Sequence, residues 1–247
     1  MNCTWSSPTL CINIFKAVHH TNPMVNITFD SQGLHIMSMD MGKTSLVQLE
    51  LTPGTFETFS CLTPITIGLY TETLVTILNK AKNSQLRWKS TDAHTLSIVL
   101  SNGDQTTEFQ LRAIDIDEDR LDVPELDDDI ALQVADSVLR EWMDKVLMTK
   151  EDVQFQISDS IFQCSSSAIE LGTITHREPM NGLRIVSLAT RSNVDITLSF
   201  QAAKSMLVFS RCGDVCMVGF SNQQPSRLKV NLDNGSYLCL YVAPKVS

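Results

Sequence analysis

The sequence is poor in features that mark membrane, secreted or disulfide-rich proteins. Aromatic side chains make up 6% of its 247 residues, and no apolar run reaches the roughly eighteen residues that a membrane-spanning helix needs. The seven cysteines are odd in number and show no CxxC spacing, which favours reduced, mostly buried thiols. Because no basic stretch followed by an apolar core begins the chain, we expect no secretory signal and no membrane partner.

Sequence motifs for catalysis and for metal binding are equally scarce. GxSxG, HExxH and GxGxxG do not occur. The segment MDMGKTS (39–45) ends like a phosphate-binding loop, but Met37 stands where the required first glycine should be, so we expect a turn between strands. Metal-ligand spacing is absent among the five histidines, at positions 19, 20, 35, 94 and 176. The sequence therefore predicts a protein that is not an enzyme, with no catalytic residue, metal or cofactor.

Negative charge is concentrated in one short segment, IDIDEDRLDVPELDDDI (114–130). It holds nine carboxylates and one arginine, a net charge of −8, while the whole chain carries −9. The remainder is therefore nearly neutral, and overall acidity does not exclude a nucleic-acid partner. From the residues alone, three interpretations stay open: a metal loop, a disordered acidic tract, or a strap joining two similar halves. A calcium loop would begin like Asp115-x-Asp117-x-Asp119, but Arg120 and Leu126 replace its glycine and glutamate.

A weak internal repeat divides the chain into two halves. Asn-Gly pairs at 102–103 and 234–235 lie between alternating apolar residues, a pattern that predicts two hairpins with type I′ turns. In each half a helix-like stretch precedes a strand pair, VNITF–GLHIMSM or VQFQIS–SIFQCSS. Further alternation predicts half-buried antiparallel strands at SLVQLEL (45–51), TITHRE (173–178) and NVDITLSF (193–200). We predict an α+β fold with domains at 1–113 and 131–247, joined by the acidic segment 114–130.

Apolar residues at helical spacing predict four helices, two in each half. The stripes consist of Leu10, Cys11, Ile14, Phe15 and Val18; Leu74, Ile77, Leu78 and Ala81; Val138, Leu139, Trp142, Met143, Val146 and Leu147; and Ala203, Met206 and Leu207. Each helix also carries a lysine off its stripe, namely Lys16, Lys80, Lys145 and Lys204. Two interpretations stay open, because surface helices commonly carry lysines, whereas four such lysines could also face a polyanion. A lysine suits contact with a phosphate backbone without reading the base sequence.

Three stretches, read together, resemble the proliferating cell nuclear antigen (PCNA) family of DNA sliding clamps. GLHIMSMDMGKTSLVQLEL (33–51), followed by TFETFSC (55–61), resembles the family's strand–loop–strand signature. IDIDEDRLDVPE (114–125) is similar to its interdomain connector, and YVAPKV (241–246) is similar to its C-terminal segment. The resemblance spans the chain in order. Thr44 departs from it where the family commonly has valine, and Cys216 departs where the family tends to have a proline at the rim of its pocket.

The resemblance implies a ring-shaped homotrimer with two similar clamp domains per subunit, sheets outside and two helices per domain inside. Such a ring would encircle double-stranded DNA without sequence specificity. It would dock DNA polymerase, a clamp loader and other clamp-binding-motif proteins of replication and repair, in the nucleus or a viral replication compartment. On this interpretation the acidic segment is a solvated strap. Two alternatives are a clamp-fold peptide-binding module that does not encircle DNA and a metal-dependent enzyme that uses the acidic cluster.

Carried over position by position, the resemblance also implies three sets of site residues. The partner-peptide pocket would use Met39, Thr44, Leu46, Leu121, Val123, Tyr241, Ala243 and Pro244. The DNA-facing residues would be Lys16, Lys80, Lys145 and Lys204. The subunit interface would join edge strands through Thr107, Phe109 and Leu111 of one subunit and Gly172, Ile174 and His176 of the next. An apolar pocket ringed by acids suits peptides with an aromatic or aliphatic plug and basic flanks.

Overall fold

A computed structural model describes residues 1–117, 121, 126–180 and 184–245. They form two successive sets of strands and helices. The first set is β1 (Asn2–Trp5), α1 (Pro8–Thr21), β2 (Met24–Asp30), β3 (Gly33–Met39), β4 (Ser45–Leu51), β5 (Phe56–Ser60), β6 (Ile65–Tyr70), α2 (Thr71–Leu78), β7 (Gln85–Lys89), β8 (Thr95–Asn102) and β9 (Gln105–Arg112). The second set is β10 (Ile130–Ala135), α3 (Asp136–Val146), β11 (Val153–Ile157), β12 (Ile161–Ala168), β13 (Gly172–Pro179), β14 (Ile185–Thr190), β15 (Val194–Leu198), α4 (Phe200–Ser210), β16 (Val215–Phe220), β17 (Ser226–Asn231) and β18 (Tyr237–Val242).

The two sets have the same element order and the same strand order within their sheets. In the first, the strands run β5-β1-β7-β8-β9 and β4-β3-β2-β6. In the second, they run β14-β10-β16-β17-β18 and β13-β12-β11-β15. Each strand of the first set therefore has a counterpart nine strands later, so that β4 corresponds to β13 and β9 to β18. The predicted α+β class and the internal duplication are confirmed.

The chain divides into two compact units. Unit 1 comprises Met1–Met41, Val47–Leu121 and Leu232–Leu238. Unit 2 comprises Gly42–Leu46, Asp122–Asn231 and Cys239–Ser247. The units exchange short segments, whereas the sequence suggests three contiguous stretches. The limits at 113 and 131 therefore stay a prediction.

The core of unit 1 is an aromatic cluster packed beneath α1. The ring centroid of Trp5 lies 4.9 Å from that of Phe56, 5.4 Å from Trp88 and 6.3 Å from Phe15. Helix α1 begins where the Ser7 hydroxyl accepts the Leu10 N–H, with proline in its first turn, a favourable start for a helix. Its predicted stripe is buried except for half-buried Leu10. Helix α2 ends earlier than its stripe suggests, at Leu78, and Ala81 is buried beyond it.

The core of unit 2 contains Trp142 of α3, 4.5 Å from Phe162 between ring centroids. The predicted stripe of α3 extends one residue too far, because Leu147 begins a short 3₁₀ turn. Helix α4 has the weakest predicted stripe because it is buried on most of its surface, including Ser205 and Ser210. Both hydroxyls donate to main-chain carbonyls of the same helix, which satisfies them inside the core.

The two Asn-Gly turns differ from each other. Asn234 (φ 60°, ψ 30°) and Gly235 (φ 78°) both have positive φ, as a type I′ turn requires. In the first hairpin Asn102 is still paired with Gln105, which leaves Gly103 and Asp104 as the loop. Among them only Gly103 has positive φ, at 57°. A type I′ turn centred on Asn102-Gly103 is therefore wrong, because the strand ladder continues one residue further than expected.

Other predictions have mixed outcomes. The segment 39–45 does contain a turn between β3 and β4, in which Lys43 has positive φ (53°). Strands β13 and β15 alternate as expected. Strand β4 does not, since every residue except Glu50 is buried. The other long polar side chain of β4 is buried Gln48, whose Nε2 donates a hydrogen bond to the Tyr237 hydroxyl at 2.7 Å.

All seven cysteines are free and buried, as predicted. Burial raises the pKa of the Cys3 and Cys164 thiols to about 12, so these groups stay protonated and unreactive at neutral pH. Across the part of the chain that the structure describes, no helix combines the length and the apolar character needed to cross a membrane.

Candidate functional site

Five of the eight predicted pocket residues, namely Thr44, Leu46, Tyr241, Ala243 and Pro244, are described within unit 2. The Ala243 N–H donates to the Thr44 carbonyl oxygen at 2.8 Å, and this bond joins the segment before β4 to the segment after β18. Leu46 and Tyr241, on those two strands, are 6% and 8% exposed. Ala243 is exposed and Pro244 is half-buried. Of these five residues, Leu46 and Tyr241 are therefore buried, whereas Thr44 and Ala243 are exposed to solvent.

The remaining pocket residues are not described within unit 2. Met39, at the end of β3, is 36% exposed, and half-buried Leu121 is the last residue of the central part of unit 1. Val123 lies outside the described residues. Cys216, which stands where the family tends to have a proline at the rim of its pocket, is fully buried in β16.

An open polar cavity of about 810 Å³ lies beside Pro244 in unit 2. Its lining comprises Gln154, Asp195, Ile196, Thr197, Asn222, Gln223, Pro244 and Lys245. The Lys245 N–H donates to the Thr197 carbonyl at 2.8 Å, and Gln154 Nε2 donates to Asp195 Oδ1 at 2.8 Å. Amide and carboxylate groups of this kind can accept basic or amide side chains. The sequence does not predict this cavity, because its lining residues occupy ordinary solvent-facing positions on segments that are far apart in the sequence.

The lysines predicted to face DNA are all exposed, but their surroundings differ. Lys16 and Lys204 lie on α1 and α4. Lys80 lies two residues beyond the end of α2, so the expectation that it is part of that helix is wrong. Lys145 lies on α3 and its Nζ is 2.9 Å from Glu141 Oε1.

Taken together, the four helices carry no net charge. They contain the basic residues Lys16, Arg140, Lys145 and Lys204 and the acidic residues Glu72, Asp136, Glu141 and Asp144. Additional exposed cations follow the helices, at Lys82, Lys150 and Arg211. Sequence reasoning missed these three, although cations are favoured at the C-terminal ends of helices. Positive charge is therefore carried as much by the turns as by the helices.

On α3, two ion pairs neutralise both cations. Arg140 Nη2 lies 2.9 Å from Asp136 Oδ2, and Glu141 accepts from both Lys145 and Arg184 Nη2, the latter at 2.5 Å. These hydrogen bonds, first that of Lys145 and then that of Arg184, hold the pKa of Glu141 below its usual range. Glu141 is therefore ionised at neutral pH, directly beside the lysine predicted to contact phosphate.

The predicted interface residues lie on two strands at the ends of their sheets. In the described residues β9 pairs only with β8, and β13 only with β12. Phe109 and Leu111 stand opposite fully buried Ile98 and Leu96, and yet are themselves only half-buried. Their sheet ends at β9, so within the described residues no further strand covers the outer side of Phe109 and Leu111.

Strand β13 presents the same arrangement in unit 2. Ile174 and His176 stand opposite buried Ser166 and Cys164 and are half-buried. His176 stacks on Trp142 with ring centroids 5.7 Å apart. Burial, and then the positive charge of Lys145, lower the pKa of His176, which favours a neutral ring. Gly172 and Thr107 are exposed.

No site for a metal ion is formed by the described residues. Asp115 and Asp117 are exposed, and no group of three or more His, Cys, Asp or Glu side chains in the described ranges is arranged to hold a metal. Asp119 and Arg120 lie outside those ranges. A metal-dependent enzyme therefore has no support from the described part of the acidic segment.

Comparison with known proteins identifies the family. Residues 2–121 match the family model "Proliferating cell nuclear antigen, N-terminal domain". A DNA polymerase sliding clamp of Methanobrevibacter smithii is 24% identical, over 94% of this chain and 92% of that protein. A probable DNA polymerase sliding clamp of Paramecium bursaria Chlorella virus 1 is 21% identical, over 94% of this chain and 86% of that protein.

A solved structure extends the likeness to the whole fold. The crystal structure of the proliferating cellular nuclear antigen from Entamoeba histolytica matches with a TM-score of 0.86 at 20% identity, covering 99% of this chain and 98% of that one. The family match covers the first half of the sequence, and the structural match covers both sets of strands and helices. The chain therefore belongs to the PCNA family of sliding clamps, as a divergent member.

Proposed function

We propose that this protein is a DNA sliding clamp, a processivity factor without catalysis of its own. Three copies would close into a ring around double-stranded DNA and dock DNA polymerase, a clamp loader and other replication and repair proteins. The observation that carries this proposal is the duplication of the chain, which leaves β9 and β13 as sheet edges.

The duplication supports one way in which copies can join. Strands β18 and β4 are hydrogen-bonded neighbours within the chain, and β9 and β13 are their counterparts. The same pairing can therefore form between β9 of one subunit and β13 of the next. It would satisfy main-chain groups that an edge strand leaves unpaired, and it would cover half-buried Phe109, Leu111, Ile174 and His176.

DNA contact in such a ring would be non-specific and weak. The exposed cations Lys16, Lys80 and Lys204 supply point charges suited to phosphates, whereas Lys145 is paired with Glu141. Weak contact is compatible with function because a closed ring is retained on DNA by its topology. Loose phosphate contacts then permit sliding.

Partner docking would use the predicted pocket residues. In unit 2, exposed Ala243 and half-buried Pro244 adjoin an open polar cavity, so an apolar anchor and a polar flank could bind side by side. Relatives include a viral clamp, and family members also occur in eukaryotes. We place the protein at replicating DNA, in a nucleus or a viral replication compartment.

The test is retention on DNA of different topology. After loading, the protein should remain on nicked circular duplex DNA and should be lost from the same DNA once a single cut makes it linear. Equal retention on both forms would contradict encirclement and leave only ordinary charge-mediated binding.

The second candidate is a clamp-fold peptide-binding module that does not encircle DNA. The absence of net charge on the four helices favours it. A solution mass of one subunit, 27.5 kDa, together with binding of partner peptides, would support this candidate over the ring.

A further inference from the structure

A glycine of β6 lies beneath the first end of the acidic connector. The Gly68 carbonyl accepts the Ile114 N–H at 2.9 Å. A Cβ atom at position 68 would overlap the Ile114 carbonyl oxygen and would stand 3.2 Å from Ile116 Cδ1. The opposing atom is main chain, so it cannot rotate away. Only glycine lets the connector lie this close to β6.

Neighbouring bonds fix the same segment of unit 1. Asn26 Nδ2 donates to the Ile116 carbonyl at 3.2 Å, and the Ala113 N–H donates to the His94 carbonyl at 2.8 Å. Residues 113–116 are thus held by main-chain bonds at two points and by one side-chain amide. Two of the three bonds are main chain to main chain, which explains why no sequence motif indicates this contact.

A second glycine, in β16, lies beneath the other end of the connector. A Cβ atom at Gly219 would stand 2.5 Å from Asp128 Oδ2 and would overlap the rest of that carboxylate. Asp128 is only 7% exposed and pairs with Arg227. Burial raises the pKa of Asp128, and the charge of Arg227 opposes that shift. Asp128 is therefore a buried anchor, and the expectation of a fully solvated acidic segment is wrong at this residue.

The aspartates on either side of Asp128 are fixed as well. The Asp127 N–H donates to Gln224 Oε1 at 2.9 Å and its carboxylate pairs with Arg191. Asp129 accepts from the Ser192 hydroxyl at 2.8 Å, the Ser221 hydroxyl at 3.0 Å and the Asn222 N–H at 2.9 Å. The bond from Asn222, followed by that from Ser192, lowers the pKa of Asp129. Three consecutive aspartates thus hold this end through different partners.

We propose that Gly68 and Gly219 are positioning residues that seat the two ends of the connector and thereby set the affinity for partner peptides. The proposal rests on the proposed docking function. A ligand that binds a segment already held in place loses less conformational entropy than one that must order it. A side chain at either glycine would displace that end, and affinity would fall although no residue that touches the peptide had changed.

The chain offers a matched control in each unit. A Cβ atom at Gly54 of unit 1 would stand 2.9 Å from Asn234 Cβ, and one at Gly213 of unit 2 would stand 2.5 Å from Val230 Cγ1. Both glycines are close-packed, and the atoms nearest to their Cβ positions belong to Asn234, Val230 and Asn231 rather than to the connector. Gly54→Ala and Gly213→Ala therefore report the cost of a methyl group in a crowded place, separately from displacement of a connector end.

The experiment compares Gly68→Ala and Gly219→Ala with these controls. Hydrogen exchange should accelerate at residues 113–117 in Gly68→Ala and at 126–129 in Gly219→Ala, but at neither segment in the controls. Affinity for a synthetic peptide with an aromatic plug and basic flanks should fall about tenfold in both variants. The solution mass should equal that of the wild type.

Asp128→Asn serves as a second variant should Gly219→Ala not fold. It keeps the shape of the side chain but weakens the pair with Arg227, so exchange should rise at 126–129 while the core stays protected. If the wild type binds the peptide, and the glycine variants show the same hydrogen exchange and the same affinity as the wild type, the seating proposal is overturned but the docking function is not. Failure of the wild type to bind the peptide would overturn the docking function, and the seating proposal with it.

Discussion

His35 is held between two carboxylates in unit 1. Its Nδ1 contacts Glu50 of β4, and its Nε2 lies 3.1 Å from Asp30 Oδ1 at the end of β2. Both ring nitrogens can donate only when the imidazole is protonated. The hydrogen bond with Glu50 raises the pKa of His35 most, burial opposes it, and Asp30 adds to the increase. The positive ring is therefore the form that this cluster stabilises.

The cluster predicts a pH dependence of stability. Because the folded-state pKa of His35 lies above its unfolded value of about 6.5, its stabilisation is fully present below that value and is lost as pH rises through the folded-state pKa. His35→Gln should remove up to about 1 kcal/mol from the free energy of unfolding at about pH 6, and less at about pH 9. Urea unfolding across this range measures the difference.

His94 provides the control for this experiment. It is exposed in the turn before β8, and His94→Gln removes an imidazole without disturbing the pair of carboxylates. Compared with this control, His35→Gln should cost more stability at about pH 6 than at about pH 9. A cost of His35→Gln that does not change with pH would show that the Glu50 and Asp30 contacts contribute no proton-linked stability.

Helix α3 has the charge pattern least suited to DNA among the four. It carries three carboxylates and two cations, and both cations are paired. Glu141→Gln should release Lys145 for a phosphate and remove a repulsive charge. We expect tighter binding to duplex DNA at low salt and a salt dependence steeper by about 0.9 in log–log slope. Fluorescence anisotropy with labelled DNA over a series of salt concentrations measures both.

Asp144→Asn makes the same charge change on the same helix. Asp144 is exposed one position before Lys145, so its removal alters the general potential but leaves the Glu141–Lys145 pair in place. Glu141→Gln should exceed it in effect. Equal effects would mean that only net charge matters, and no effect of either variant would argue that α3 does not face DNA.

An element with one solvent-facing side is easier to predict from the sequence than an element that is buried on most sides. Helices α1 and α3 each have a solvent-facing side, so their stripes are clear in the sequence. Helix α4 and strand β4 are buried on most sides, which removes the alternation that sequence reasoning needs. At 102–105, local turn preference was overruled by one more pair of the ladder.

The candidate sites also differ in how far they can be predicted from the sequence. Helical spacing was enough to predict the exposed lysines. The family resemblance was enough to predict that 107–111 and 172–176 lie at sheet edges. The seats at Gly68 and Gly219 depend on which distant main-chain and carboxylate atoms lie above them. The open polar cavity beside Pro244 depends on strands that are far apart in the sequence. Neither arrangement has a local signal.

At the scale of the whole molecule, the duplication predicts a closed assembly. Each chain offers one β9 edge and one β13 edge, and these edges are different surfaces, so joining them head to tail gives a ring when the rotation closes. A mass of about three times 27.5 kDa at low micromolar concentration is expected. Sedimentation or light scattering provides the measurement.

A variant at the β9 edge tests whether that strand holds the ring together. Phe109 faces the core side of its sheet opposite Ile98 and is half-buried in the single chain, so a partner strand would complete its burial. Phe109→Ala should raise the dissociation constant of the assembly by more than about tenfold, since that factor corresponds to only about 1.4 kcal/mol and loss of a buried phenyl ring costs more. Gln110→Ala, on the opposite face of β9, should leave the mass unchanged. If Phe109→Ala and Gln110→Ala both remain trimeric at the lowest concentration that can be measured, copies of the chain do not join through the core side of this strand.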